Sequence, residues 1–285
     1  MTGDTPASVE AAFGGRLTPL VHDRPHRNTH YRGVTADGTR VFVKVIDGNP
    51  AYYTAEVRAQ RHLLDGGVPV PRLLDHGAVG ERRWWLAYEW RDFDAFVPVR
   101  DLVERAGHLL GRLHAATNGI QDDALRRYAD VHRLIAEKTA RIAEFDAPLA
   151  RRVQRLHERI AARGGNREGN GGSVCLLHGD MGWRNLHTDP AGRLWLLDFE
   201  HAAIGHPLLD FAKLWDRELD APADREVFLR GYQRSWPAAE PVRLDAIDTV
   251  RLWAAAGIFP YARPREDHDF ERHASSVLDR LEAGR

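Results

Sequence analysis

One cysteine in 285 residues, Cys175, leaves no partner for an intrachain disulfide and suits a reducing compartment. It stands in the apolar run Val174-Cys175-Leu176-Leu177 and reads as a buried strand residue rather than a nucleophile. An excess of one charge is also missing. The 40 Lys plus Arg and 41 Asp plus Glu leave a formal net charge of −1, which argues against a broad nucleic-acid face and supplies no large field to steer a polycation. No apolar run is long enough to span a bilayer, and residues 1–13 lack the basic and apolar regions of a secretory signal. These absences predict a soluble, cytoplasmic protein with no nucleic-acid or membrane partner. Repeats are absent, and low complexity is confined to the Gly/Asn-rich loop 164–172. The composition, 43% hydrophobic and 28% charged, is that of a globular chain long enough for one large domain or two modest ones.

The informative stretch lies in the second half. Two short apolar runs, 174–177 and 194–197, are separated by the turn residues Asp189-Pro190-Ala191-Gly192. Each delivers a carboxylate at its end: Asp180 follows the first run and Asp198 closes the second, with an amide, Asn185, five residues after Asp180. Phosphoryl transfer from ATP needs such a set: a carboxylate to orient and deprotonate a hydroxyl, and oxygen ligands for magnesium. The competing reading is a surface hairpin whose acids are solvated turn residues.

The linked motifs His178-Gly179-Asp180 with Asn185, Asp198-Phe199-Glu200, and Gly205-His206-Pro207-Leu208-Leu209-Asp210 resemble those of the aminoglycoside phosphotransferase family. The resemblance implies an α+β, bilobal protein-kinase-like fold, with an antiparallel-sheet N-lobe over 1–90 and a mainly helical C-lobe over 91–285. It implies ATP and Mg2+ as cofactors and a small hydroxylated molecule as acceptor. Asp180 would be the catalytic base, Asn185 and Asp198 the metal ligands, and Asp210 a structural brace of the catalytic loop.

The rest of the chain is consistent with that order. Residues 8–14 suggest a short helix capped by Ser8 and stopped by Gly14, and 17–22, 30–34 and 40–46 suggest strands, the last two joined by a tight turn at 36–39. Lys44 interrupts an apolar run, and alternation sets it on the face opposite Val43 and Val45. A buried ammonium needs a partner. Glu56, on a helix expected over 52–64 and ended by Gly66-Gly67, is the candidate, and the pair matches the lysine and helix glutamate that hold ATP in kinases. Taken alone, an edge-strand lysine and a surface glutamate fit as well. The Gly-rich phosphate loop of protein kinases is lacking; Asn28 and Thr29 stand in its place, as hydrogen-bond donors to phosphate oxygens or as a polar turn. Residues 83–90 read as an aromatic strand, and by position Tyr88, Glu89, Trp90 and Arg91 resemble the hinge that holds adenine through backbone groups.

Beyond residue 91 helices are expected at 101–118, 122–163, 224–236, 243–258 and 264–283. His114, on the apolar stripe of the first, reads as a structural histidine. Trp183 and Arg184 depart from the family's usual loop content. The acidic group Glu266, Asp267 and Asp269, near Phe259, Tyr261 and Phe270, suits an amine-bearing acceptor; the interleaved arginines equally suit a self-paired, solvated face. The expected activity is ATP- and Mg-dependent phosphorylation of a small molecule, an antibiotic or a metabolite. The alternative is a catalytically silent pseudokinase that senses nucleotide or binds a partner. A protein kinase fits less well, since the Gly-rich loop and an Ala-Pro-Glu motif after Asp198 are both lacking.

Overall fold

A computed structural model describes residues 5–20, 28–64, 67–128, 130–164, 173–236 and 244–284. In chain order these begin with α1 (Thr5–Phe13), β1 (Arg16–Pro19), β2 (Thr29–Val34), β3 (Arg40–Asp47), α2 (Pro50–Leu63), β4 (Leu73–Ala78), β5 (Arg83–Glu89) and β6 (Asp94–Ala95). There follow α3 (Arg100–Ala116), β7 (Arg126–Tyr128), α4 (Val131–Ala143), α5 (Ala147–Gly164), β8 (Cys175–Leu177), β9 (Leu186–Thr188), β10 (Leu194–Leu196) and β11 (Ala203–Gly205). The chain ends with α6 (Phe211–Arg217), α7 (Pro222–Ser235), α8 (Leu244–Ala262) and α9 (His268–Glu282). Residues 21–27, with the end of the strand expected over 17–22, Gly66, and most of the Gly/Asn-rich loop 164–172 lie outside the described residues.

The chain forms two compact units that interleave along the sequence. The first takes its described residues from Met1–Val97, Asp123–Leu125 and Trp183–Ala202. Its sheet has the order β1-β2-β3-β5-β4, every pair antiparallel. Strand β3 explains the lysine within an apolar run. Val41, Val43 and Val45 pack with Val9, Tyr31, Trp85 and Ala87 on one face. Ile46 packs with Val57, Leu86 and Tyr88 on the other, and the period of two turns Lys44 to that side. Helix α2 begins two residues before the sequence suggests, because Asn49 caps it by accepting from the Ala51 amide at 3.0 Å and Pro50 holds the first position. A second small sheet, β10-β9-β6, pairs Leu196 with Leu186 and so lays Asn185 beside the segment leading to Asp198.

The second unit comprises the described residues of Pro98–Asp122, Arg126–Gly182 and Ala203–Arg285. Helices α3 and α7 cross at backbone distance: a Cβ on Gly107 would lie 2.0 Å from the Phe228 carbonyl oxygen, and one on Gly231 would lie 2.0 Å from that of Glu104. Helices α4, α5, α8 and α9 enclose a core of Ile135, Ile142, Val153, Leu156, Leu252, Phe259, Val277 and Leu278. A three-stranded sheet, β7-β11-β8, carries the catalytic-loop strand β8 at one edge.

Two expectations are corrected. Helix α1 starts at Thr5, so Ser8 lies within it rather than capping it, while Gly14 ends it at φ 75°. The helix expected from 122 begins only at Val131; its first residues form β7, drawn into parallel pairing with β11. Among the described residues no helix is long and apolar enough to cross a membrane.

Candidate active site

In the first unit, four charged side chains meet. The Lys44 ammonium lies 2.7 Å from Glu56 Oε2, 2.6 Å from Asp198 Oδ1 and 3.1 Å from Glu200 Oε2. Lys44 is 4% exposed and Glu56 2%. The Tyr88 hydroxyl donates to Glu56 Oε1 at 2.7 Å, and the Phe199 amide reaches the same oxygen at 3.4 Å. Burial alone would strip the Lys44 proton; Glu56, Asp198 and Glu200 together overcome it and push its pKa above the ordinary lysine value. Burial raises the pKa of Glu56, with Lys44 opposing and Asp198 reinforcing the rise. Burial and the Glu56 charge likewise raise that of Tyr88, which remains a donor.

One ammonium facing three carboxylates leaves an excess of negative charge. Oxygen atoms of Glu56, Asp198 and Glu200 lie within 4.8 Å of one another, and hard carboxylate oxygens suit a divalent cation such as magnesium. Asp198 has φ 69°, a left-handed conformation uncommon outside glycine and found where a site fixes its backbone. Asn185 is buried, and its carbonyl accepts from the Leu197 amide at 2.9 Å, so two hydrogen-bonded segments carry the two expected ligands. Asn28 is buried and donates through Nδ2 to Glu200, while its Oδ1 has no hydrogen-bond partner among the described residues. The donor set therefore fits a metal ion and the polar groups that accompany it.

The second unit carries Asp180, 6% exposed, on a short loop after β8. Asp210 holds that loop: its carboxylate accepts from the His178 amide at 2.8 Å and the Gly179 amide at 2.7 Å. His114 Nε2 lies 3.1 Å from Asp210 Oδ2, and the Tyr232 hydroxyl lies 2.9 Å from its Nδ1. Since the carboxylate can only accept, Nε2 donates to it, while Nδ1 pairs with the Tyr232 hydroxyl. Burial would raise the Asp210 pKa, but the His114 hydrogen bond, the charges of His114 and His178 and the Gly179 amide hold it below the usual carboxylate range. Gly179 takes φ 77°, which lets the loop turn sharply. Lys213 of α6 donates to Asp180 Oδ1 at 2.6 Å and lies 3.5 Å from the Gly179 carbonyl.

Sequence reasoning missed two of these residues. Glu200 stood inside a recognised motif, where an acid two residues after Asp198 was signal enough. Lys213 is a lysine within the apolar segment Phe211-Ala212-Lys213-Leu214-Trp215, the same anomaly that exposed Lys44.

The remaining sites expected from the sequence are placed as follows. Thr29 starts β2 with an exposed side chain, opposite Val45. The Glu89 amide is taken by the Arg72 carbonyl at 3.0 Å, and its carboxylate by Arg91 at 2.8 Å. The Trp90 ring lies beneath Arg32, at 4.8 Å, and its Nε1 donates to Asp92 at 3.1 Å. Trp183 packs on Phe96 at 4.9 Å, and Arg184 is exposed. Glu266, Asp267 and Asp269 are exposed. Asp267 caps α9 by accepting from the Phe270 amide, and Asp269 pairs with Arg272.

The fold and the charged cluster define a protein-kinase-like phosphotransferase. The chain belongs to the phosphotransferase enzyme family, whose sequence profile matches residues 21–243. Among solved structures it is similar to the amicoumacin kinase hAmiN in complex with AMP-PNP, Ca2+ and Ami, at 14% identity, TM-score 0.65, over 99% of this chain and 94% of that one. A thermostable mutant of aminoglycoside phosphotransferase APH(4)-Ia, bound to ADP and hygromycin B, aligns at 16% identity and TM-score 0.68, over 98% of both chains. The aminoglycoside-3'-phosphotransferase of type VIII aligns at 22% identity and TM-score 0.58, over 87% of this chain and 97% of that one. No curated protein sequence matches.

Proposed function

We propose that this protein transfers the terminal phosphoryl group of ATP to a hydroxyl of a small molecule, an antibiotic or a metabolite. The observation that carries the reading is Lys44, held between Glu56 at 2.7 Å and Asp198 at 2.6 Å, in a chain of a phosphotransferase family. Lys44 contacts the nucleotide phosphates, and Glu56, fixed by Tyr88, keeps the ammonium aimed. Asp198, Asn185 and Glu200 would hold magnesium, which supplies charge neutralisation on the phosphates. Asp180 receives the proton of the acceptor hydroxyl as it attacks phosphorus, and the bond from phosphorus to the bridging oxygen breaks to leave ADP. Lys213, at 2.6 Å from Asp180, fixes the orientation of that carboxylate.

In this reading residues 1–90 bind the nucleotide and residues 91–285 carry the catalytic loop and the acceptor site, with Asn28 adding an acceptor oxygen that has no partner among the described residues. The nucleotides and antibiotics in the solved neighbours support the class of reaction. The buried Cys175 thiol, its pKa raised by burial, is consistent with a cytoplasmic setting where ATP is plentiful. Incubating the protein with ATP, magnesium and a panel of hydroxylated acceptors, followed by 31P NMR, tests the reading. A phosphoester signal appearing with ADP is expected; ATP unchanged across aminoglycosides, choline, sugars and hydroxy amino acids would contradict it.

A further inference from the structure

Lysine is almost missing from this chain. Of its 40 Lys plus Arg residues only three are lysines: Lys44, Lys138 and Lys213. The two side chains are not interchangeable, because a guanidinium stays charged and presents a planar fork, whereas an ammonium is a compact point charge with a tunable proton affinity. Lys44 and Lys213 each touch a carboxylate of the machinery described above. Lys138 has no place in that account.

Lys138 projects from α4 toward α8. Its Nζ donates to the Trp253 carbonyl at 2.7 Å and lies 3.8 Å from the centre of the Trp253 ring. Helix α8 makes room for it: a Cβ on Gly257 would come within 2.5 Å of Nζ, so a residue unfavourable to helices occupies the position that seats the ammonium. Among the described residues no carboxylate pairs with Lys138. The charges that bear on it are all positive, Lys213 foremost and then Arg141 and Arg126; with burial, the largest cause, they bring its pKa down to about 7. Tyr128 packs edge-on against Trp253 at 5.6 Å, and Arg126 lies over Tyr128 at 5.7 Å. The result is an aromatic wall with an uncompensated ammonium, within electrostatic reach of the lysine that touches Asp180.

We propose that Lys138 recognises an oxyanion on the acceptor, a carboxylate or a phosphate group, in the same molecule whose hydroxyl is received by Asp180. This deepens, and rests on, the phosphotransferase reading. A half-buried cation without a counterion is unfavourable, and a bound anion reduces that cost while the surrounding positive charges add to the attraction. The same charges repel a polyamine, and the carboxylates expected to attract one, Asp267 and Asp269, are exposed with local partners. The acceptor class this favours is a hydroxy acid or a phosphorylated polyol.

Three lysines make the test simple. Full-length protein labelled with 13C at the lysine ε-carbons should give three resolvable NMR signals, and Lys138→Gln or Lys138→Arg assigns the one of interest. The probes are inorganic phosphate, glycerate and, as the neutral control, glycerol. The expected result is a shift of the Lys138 signal and a rise of its pKa by about a unit with at least one anion, and none with glycerol. Response to glycerate alone assigns a carboxylate; response to phosphate alone assigns a phosphate group. In parallel, ADP release is compared for hydroxy acids and sugar phosphates against their neutral parents. Preference for the anionic member should fall at least tenfold in Lys138→Gln and be partly retained in Lys138→Arg. A Lys138 signal indifferent to both anions would overturn the proposal. A responding signal with only neutral acceptors phosphorylated would also overturn the proposal, whereas a responding signal with no acceptor of any class phosphorylated would leave the anion site standing and contradict the phosphotransferase reading.

Discussion

At the scale of single residues, charge imbalance is what the candidate site is built on. Lys44 cannot neutralise Glu56, Asp198 and Glu200 together, and a cation is the natural complement. Glu200→Gln should therefore raise the magnesium concentration needed for half-maximal activity, and Asp198→Ala should abolish activity at every magnesium concentration. A magnesium titration of each variant reads this directly, and an unchanged requirement in Glu200→Gln would remove that residue from the set. Asp210 permits a second prediction. Its folded-state pKa lies below the ordinary carboxylate value, so its contribution to stability is complete above the unfolded value and is lost as pH falls through the folded one. Thermal melts at descending pH should show that loss in the parent and a flatter acid limb in Asp210→Asn. Asp210→Ala, which leaves His114 and two amides without their acceptor, should cost roughly 3–5 kcal/mol, measured by denaturant unfolding.

At the scale of elements, legibility followed the physics that made each element. Strand β3 and helix α2 were readable because alternation and a 3.6-residue period are local patterns, and the anomalous Lys44 and its partner Glu56 fell out of them. The two runs now seen as β8 and β10 were readable because each is a short apolar run that ends in polar residues. Strand β7 was not: three residues, Arg126–Tyr128, carry no period, and their pairing with β11 is a long-range choice. The cap of α2 at Asn49 was overlooked because its helix starts with a proline ahead of the periodic residues. The crossing of α3 and α7 was also invisible, since Gly107 and Gly231 look like helix weakeners until the partner backbone is present. Replacing either by alanine sets a Cβ 2.0 Å from a carbonyl oxygen of the other helix. The expected cost is about 1–3 kcal/mol or more, because the neighbour is backbone and cannot rotate away. A fall in the unfolding midpoint of Gly107→Ala checks it; unchanged stability would mean that the helices separate freely.

For the whole molecule, the residues proposed to bind nucleotide and metal belong to one compact unit and the proposed base to the other, with the chain passing from the second to the first between Gly182 and Trp183. The motif from His178 to Asn185 spans that passage, so a single stretch of sequence carries the proposed base and a proposed metal ligand on different units. The proposed anion site was not announced, because Lys138 on α4 and Trp253 and Gly257 on α8 share no motif. The most direct measurement of the central claim is steady-state ADP release by the parent and by Asp180→Asn, with ATP, magnesium and an acceptor that the parent phosphorylates. The account predicts a kcat lowered by about a hundredfold or more with the KM for ATP little changed, since the amide keeps the shape of Asp180 and removes its ability to take a proton. Turnover by Asp180→Asn at the parent's rate would contradict it.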